Sequence, residues 1–233
     1  KDVGGWKSEN GLASYMFRAN YNYDSKYYIG ASIRYDGLSK LPKDTRWGTF
    51  WGASAAWRLS REKFWTEAPV NEWFNDLRLR ASYATIGNSA LGSDYPYLGT
   101  YGAKLVGPMA GIAWNVMGNN NLKWETTETF DIGLDGALFN NRMTFEIAYW
   151  QKNSKDLVLR VPTPPTMGIP NNYYYDNIGK IKNSGFELTV GGTIINTKDW
   201  NWHSDINFST VKNTVKELYG GTDIIDNYTI IRE

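Results

Sequence analysis

Cysteine is absent from this sequence of 233 residues, histidine occurs once, and net charge nearly vanishes: 25 basic against 24 acidic residues leave +1. Without thiols there is no disulfide scaffold and no thiolate chemistry with metals or redox partners. Without a basic excess, a nucleic-acid partner held by phosphate neutralisation is disfavoured. No apolar run reaches the roughly 18 residues that a membrane-spanning helix needs. What the chain does have is aromatic residues and glycine: 11 Trp, 16 Tyr, 9 Phe and 23 Gly, with a mean hydropathy that is still negative. A membrane β-barrel combines these two features, because half of every strand faces water.

Eight segments alternate apolar or aromatic residues with polar or small ones at period two, the spacing of a pleated strand with two different faces. In the first, Tyr15, Phe17, Ala19 and Tyr21 oppose Met16, Arg18, Asn20 and Asn22. In the second, Tyr27, Ile29, Ile33 and Tyr35 oppose Tyr28, Gly30, Ser32 and Arg34. The third sets Trp51, Ala53, Ala55 and Trp57 against Gly52, Ser54, Ala56 and Arg58, and the fourth Leu77, Leu79 and Tyr83 against Arg78, Arg80 and Ser82. Four more follow around 129–135, 143–149, 186–190 and 200–209. Charges collect on one side, and Tyr and Trp cluster near strand ends, where an aromatic girdle meets headgroups.

The connections strengthen this reading. Turns at Asp24-Ser25, Asn140-Asn141 and Thr197-Lys198-Asp199 are tight, whereas 37–46, 86–122 and 152–180 are long. That is the asymmetry of periplasmic turns and extracellular loops. The exception, 61–75, reads as a helical turn ended by Pro69 and by the Asn75-Asp76 pair. Alternation alone also allows a soluble sandwich or barrel, which would bury its apolar face under a second sheet. The chain opens on Lys1-Asp2-Val3-Gly4-Gly5 and stops at Ile230-Ile231-Arg232-Glu233 with neither signal peptide nor closing strand, so it is expected to be a piece of something larger.

No catalytic constellation and no metal site emerges. His203, beside Asp205 on a polar face, reads as a solvated or hydrogen-bonded wall residue rather than a general base. Gly87-Asn88-Ser89-Ala90-Leu91 lacks the final glycine of a nucleophile elbow. Asp131 and Asp135 share a face at about 13 Å along an extended strand, too far apart for a glycosidase pair. Neither an enzyme nor a cofactor is expected. Ligand contacts are expected in the long loops, from Tyr95, Tyr97, Tyr101 and Trp114 in 86–122 and from Tyr173, Tyr174 and Tyr175 in 152–180, whose rings can stack on sugars or peptide side chains. Packing of these loops on each other or on a lid is the competing reading. Arg18, Arg34, Arg58, Arg78 and Arg80 are expected on the lumen wall as a positive stripe, tied to plug or wall carboxylates.

Four blocks carry a resemblance to a known family. Trp47-Gly48-Thr49-Phe50 leads to Ala53-Ser54-Ala55-Ala56-Trp57-Arg58. Asn75-Asp76-Leu77-Arg78-Leu79-Arg80-Ala81-Ser82-Tyr83 is followed by Gly87-Asn88. Asn121-Leu122-Lys123-Trp124-Glu125-Thr126-Thr127 and Asn177-Ile178-Gly179-Lys180-Ile181-Lys182-Asn183-Ser184-Gly185-Phe186-Glu187-Leu188 come after them. In this order they resemble the carboxy-terminal barrel of SusC/RagA-type TonB-linked outer-membrane proteins. The loop Asp36-Gly37-Leu38-Ser39-Lys40-Leu41 departs from the usual form of that family, and Trp51 stands where Pro is common. The resemblance implies an all-β, transmembrane antiparallel barrel of about 22 strands with a plugged lumen, of which residues 1–233 would supply about eight. It further implies an importer of oligosaccharides or peptides in the outer membrane of a Gram-negative bacterium. TonB-ExbB-ExbD would drive it through a plug that this chain does not contain, and a SusD-like lipoprotein would form its lid. A soluble carbohydrate-binding β-module and a surface adhesion protein are the alternatives.

Overall fold

The computed structural model describes residues 7–92, 94–169 and 172–218, with two further backbone stretches at 224–226 and 229–231. Lys1–Trp6 and Arg232–Glu233, the open beginning and end of the sequence reading, lie outside the described residues. Eight strands form one sheet: β1 (Leu12–Tyr23), β2 (Tyr27–Leu38), β3 (Trp47–Arg58), β4 (Phe74–Asn88), β7 (Glu125–Leu138), β8 (Met143–Pro162), β9 (Tyr173–Asn196) and β10 (Asn201–Glu217). Each pairs antiparallel with the next, so the sheet is an up-and-down meander with β1 and β10 at its edges. A separate hairpin, β5 (Thr100–Val106) with β6 (Met109–Val116), rises from the connection between β4 and β7, and β11 (Ile224–Asp226) pairs with β12 (Thr229–Ile231).

Register keeps the two faces distinct. Tyr21, Ile29, Ala55, Ala81, Ile132, Tyr149 and Phe186 stand in one row across seven strands. Because the side-chain period is two, a one-residue slip anywhere would send this row to the opposite face. The face it belongs to is open: Tyr15, Phe17 and Ile206 are 69%, 67% and 67% exposed. A soluble sandwich would cover such a surface with a second sheet, and among the described residues no second sheet lies over this one.

Aromatic rings border that outer face at both ends. Tyr35 stacks on Trp47 at 4.7 Å near the long loops, and Tyr27 stacks on Trp57 at 6.3 Å near the short turns. Tyr27 and Tyr35 are eight residues apart on β2, about 27 Å along the strand, which a tilt of about 40° reduces to about 21 Å. That height fits the roughly 25 Å apolar band of an outer-membrane barrel.

The short turns form as their residues dictate. Asp24 (φ 52°) and Ser25 (φ 51°) are both left-handed, and the Lys26 N–H closes the turn on the Tyr23 carbonyl at 3.0 Å, the twist that a right-handed hairpin accepts. Phe139, Asn140 and Asn141 are left-handed in succession, and the N–H groups of Asn140 and Asn141 converge on the Asn75 side-chain oxygen at 2.5 and 3.3 Å.

Two expectations need correction. Pro69 does not end the helical connection: α1 (Lys63–Thr66) is a single turn, Ala68 is extended as a residue before proline must be, and Pro69 begins a second, 3-10 turn over Pro69–Glu72. Segment 152–180 is not one long loop. β8 runs on to Pro162 and β9 starts at Tyr173, so Tyr173, Tyr174 and Tyr175 are strand residues paired with Pro162, Val161 and Arg160. A bulge between Ser154 and Leu157, with Asp156 at φ 57°, shifts the alternation and hides the strand from a period-two reading.

Candidate functional site

The inner face carries the charge. Arg18, Arg34, Arg58, Arg78 and Arg80 all lie on the face opposite the aromatic rows, as their register positions require. Instead of a bare positive stripe, Arg58, Arg78 and Arg80 form a ladder with carboxylates of neighbouring strands, and Arg34 pairs with Asp36 on its own strand. Arg58 Nε and Nη2 donate to the two oxygens of Asp76 at 2.7 and 2.8 Å, and Ser60 Oγ adds a bond to the same carboxylate. Arg34 Nε donates to Asp36 at 2.6 Å, and Arg78 Nη2 to Asp135 at 2.7 Å. Arg80 is the hub, bound to Asp131 at 2.8 Å, to Asp135 at 3.2 Å and to Glu146.

Glycine makes this hub possible. Arg80 faces Gly133 across the β4–β7 ladder, between Asp131 and Asp135 on the same face. A Cβ at Gly133 would sit 2.8 Å from both Cζ and Nε of Arg80, closer than real side chains approach. The bare backbone lets the guanidinium lie flat between two aspartates that are too far apart to meet each other. The Asp-x-Gly-x-Asp spacing opposite Arg-x-Arg was a sequence signal for this arrangement. An open groove of about 620 Å³ runs along the ladder, lined by Asp76, Arg78, Arg80, Asp135, Thr144 and Glu146.

Sequence reasoning did not single out Trp150, although strand parity with Thr144, Glu146 and Ala148 places it on the charged face. Its ring lies over Gly185 on the inner wall, its Nε1 donates to Glu187 at 2.8 Å, and Lys152 Nζ stands 5.3 Å from the ring centre. His203 is hydrogen-bonded on the same wall, to Thr193 and to Asp205, each at 3.2 Å.

At the long-loop end the inner face turns apolar. Leu38, Leu41, Phe50, Leu91, Leu122 and Trp124 form a buried cluster, against which Tyr97, Val158 and Tyr175 pack. Phe50 fills the space above two glycines, and a methyl group at Gly48 or Gly87 would run into its ring. Polar groups fasten the surrounding loops. Thr45 Oγ1 donates to the Leu122 carbonyl at 2.5 Å and Trp124 Nε1 to the Arg46 carbonyl at 2.8 Å. Glu125 accepts from Asn88 at 2.5 Å and from the Val158 N–H at 2.7 Å, while Asn177 exchanges two bonds with the backbone of Lys123 at 2.9 and 3.0 Å. Residues from all four sequence blocks singled out above therefore meet at one rim.

The tyrosines expected to touch ligand divide accordingly. Tyr97 and Tyr175 are committed to the rim cluster, and the Tyr175 carbonyl also accepts from Asn119 at 3.0 Å. Tyr173 lies edge-on to Tyr175 and under the Arg160 guanidinium at 4.7 Å, and Tyr174 is held within the β8–β9 ladder. Tyr95 donates its hydroxyl to the Glu9 carbonyl at 2.8 Å. Tyr101 and Trp114 are cross-strand partners on the β5–β6 hairpin, stacked at 4.1 Å, with Tyr101 60% exposed. Of the seven, Tyr95, Tyr101 and Trp114 are exposed, and Tyr101 with Trp114 offers a stacked pair of rings.

A family model described as TonB dependent receptor-like, β-barrel matches residues 5–229. TonB-dependent receptor P26 of Formosa agariphila is 35% identical over 221 residues, 92% of this chain and 21% of that protein. TonB-dependent receptor SusC of Bacteroides thetaiotaomicron is 32% identical over 225 residues, 94% of this chain and 22% of that one. Among solved structures, a chain of the RagAB peptide transporter superposes with a TM-score of 0.84 at 30% identity, covering 96% of this chain and 24% of that one. The siderophore receptor PirA from Pseudomonas aeruginosa shares the fold, with a TM-score of 0.54 at 13% identity. The chain thus spans about a fifth of the length of the curated relatives it matches.

Proposed function

Since this chain belongs to the TonB-dependent receptor-like β-barrel family, whose members are receptors of the outer membrane rather than enzymes, we propose that it forms one portion of the barrel wall of a SusC/RagA-type importer. The cargo is an oligosaccharide or a peptide, a SusD-like lipoprotein closes the long-loop side, and TonB with ExbB and ExbD supplies energy through the plug. The observation that carries this reading is the division of one sheet into a bare aromatic face and an ion-paired face. Lipid can solvate the first, and the second suits an aqueous lumen filled by a polar plug. The name of the RagAB peptide transporter speaks for peptide cargo, and the oligosaccharide alternative rests on the SusC/RagA resemblance of the sequence blocks. In this reading Arg18, Arg34, Arg58, Arg78 and Arg80 face the lumen, and Tyr101 with Trp114 offers a stacking surface above the mouth.

Two measurements test it. The intact mass of the protein from the outer-membrane fraction should be near 100 kDa or more, as for a plugged barrel of about 22 strands; a mass near 26.5 kDa would mean a small self-contained β-protein. Uptake of labelled oligosaccharides and peptides should depend on this gene and stop when a protonophore collapses the inner-membrane gradient. Surface binding without energy-dependent uptake would instead favour the adhesion protein.

A further inference from the structure

We propose that the helical connection 59–73 is a membrane-interface anchor, seating Phe64 and Trp73 among the phospholipid headgroups on the short-turn side of the barrel. Elsewhere on that side the turns are tight, whereas here a one-turn helix flanked by two 3-10 turns, Leu59–Arg61 and Pro69–Glu72, is interposed between β3 and β4. The connection continues the lipid-facing surface. Tyr23 stacks on Tyr27 at 6.4 Å, Tyr27 on Trp57 at 6.3 Å, and Trp57 meets Phe64 edge-on at 6.4 Å, an unbroken aromatic row from the outer wall to α1. A second row joins Trp65 to Phe74 at 6.1 Å and Phe74 to Phe145 at 6.5 Å. Beyond these contacts Phe64 is 57% exposed and Trp73, which touches Phe139 at 6.0 Å, is 61% exposed.

The polar groups are arranged as an interface requires. Tyr27 hydroxyl and Trp57 Nε1 both donate to Glu62 Oε1, at 2.5 and 3.1 Å, and Lys26 Nζ lies 3.7 Å from the other oxygen. Each ring thereby keeps its apolar body against the wall and turns its polar edge toward the carboxylate, the way Tyr and Trp sit at headgroup level. Arg61 and Lys63 are exposed on either side of Glu62, within reach of lipid phosphates. Lipid is the partner because the exposed rings continue a surface that already faces it; a protein partner would have to bind astride the bilayer boundary.

The inference rests on the outer-membrane reading for the bilayer itself, and the experiment separates the two. Single spin labels are placed at Phe64→Cys and Trp73→Cys in the full-length protein, reconstituted in phosphatidylethanolamine–phosphatidylglycerol bilayers, with Phe17→Cys as the lipid control and Lys43→Cys as the water control. Collision with oxygen against a water-soluble nickel chelate reports depth. Labels at 64 and 73 are expected at the headgroup boundary, between the two controls. Labels at 64 and 73 that match Lys43 while Phe17 lies in lipid would overturn the anchor alone. A label at Phe17 in water would overturn the membrane reading and the anchor with it. In unlabelled protein, Trp73→Phe should remove a fluorescence component that is quenched by lipids brominated near the carbonyls; a lost component quenched only by aqueous iodide would also overturn the proposal.

Discussion

Arg80 shows how much a single side chain can organise on a pleated wall. Its guanidinium serves Asp131, Asp135 and Glu146 at once, and it does so because Gly133 has no side chain. Arg80→Met leaves Asp131 and Glu146 without their cation and Asp135 with Arg78 alone, and it is expected to destabilise the barrel by about 1–3 kcal/mol, the range for hydrogen bonds to charged groups. Gly133→Ala displaces the same guanidinium, so the double variant should cost less than the sum of the singles. Heat-modified mobility on gels, or urea titration in detergent, measures this coupling, and strict additivity would mean that Gly133 acts elsewhere. Asp94 is a second organiser. Ser8 hydroxyl foremost, then Lys40 and Asn10, hold its carboxyl below the usual carboxylate range. A depressed carboxyl stabilises fully above its unfolded pKa of about 3.9, and the contribution disappears as pH falls through the lower folded value. Protease cleavage within 89–99 should therefore rise only below about pH 4. Asp94→Asn should raise cleavage at neutral pH and remove that acid-induced rise.

At the scale of elements, the rim is the part whose packing is most demanding. Phe50 is buried between strands and loops, above Gly48 and Gly87. Phe50→Ala is expected to cost about 3–5 kcal/mol, and Gly87→Ala about 1–3 kcal/mol through overpacking. Both should loosen loops 39–46 and 89–124 together in hydrogen exchange, because those loops share the cluster. The β5–β6 hairpin behaves differently: Tyr101→Ala with Trp114→Ala should leave the rim protected and, where the pair contacts cargo, weaken ligand binding. Tyr175→Ala should do the reverse, since its ring packs on the cluster. Period-two alternation in the sequence located all eight strands of the sheet, yet underestimated β8 and β9. Their outer portions pass a bulge and carry Tyr173-Tyr174-Tyr175, where no alternation survives to be read. The hairpin inside 86–122 was hidden for a related reason, since short strands rich in glycine and small residues carry little pattern.

For the whole molecule, the open edges and the bare outer face set the conditions for folding. Among the described residues, β1 and β10 each have one side of their backbone without a neighbouring strand in the sheet, and unpaired strand edges recruit other chains. The 233-residue chain expressed alone in detergent is expected to associate through these edges rather than remain a monomer, whereas the full-length protein should be monodisperse at the barrel stage. Light scattering of both preparations checks this, and a stable monomer of the short chain would argue against an incomplete barrel. The outer face makes a separate demand. With rings such as Tyr15 and Phe17 more than half exposed, water is a poor solvent for it, and transfer into lipid supplies the apolar surroundings that a second sheet supplies in a sandwich.

Alternation, turn chemistry and the order of the four blocks by themselves determined the antiparallel sheet, its two faces, the aromatic belts and the family, because each is a local or periodic property of the chain. Which side the arginines occupy was equally legible, since parity along a strand places every side chain. Three matters were decided only by tertiary structure. The neutralisation of Arg58, Arg78 and Arg80 depends on which strands become neighbours, and β4 meets β7 only after the chain has passed through a 36-residue excursion. The commitment of Tyr97 and Tyr175 to packing depends on loops closing over Phe50 from three directions. For Trp150 parity gives the side, and the resting place of its ring depends on Gly185 in the next strand leaving room for it. In each case the cause is a contact across strands, between residues distant in sequence, where no spacing along the chain records which side chain will meet which.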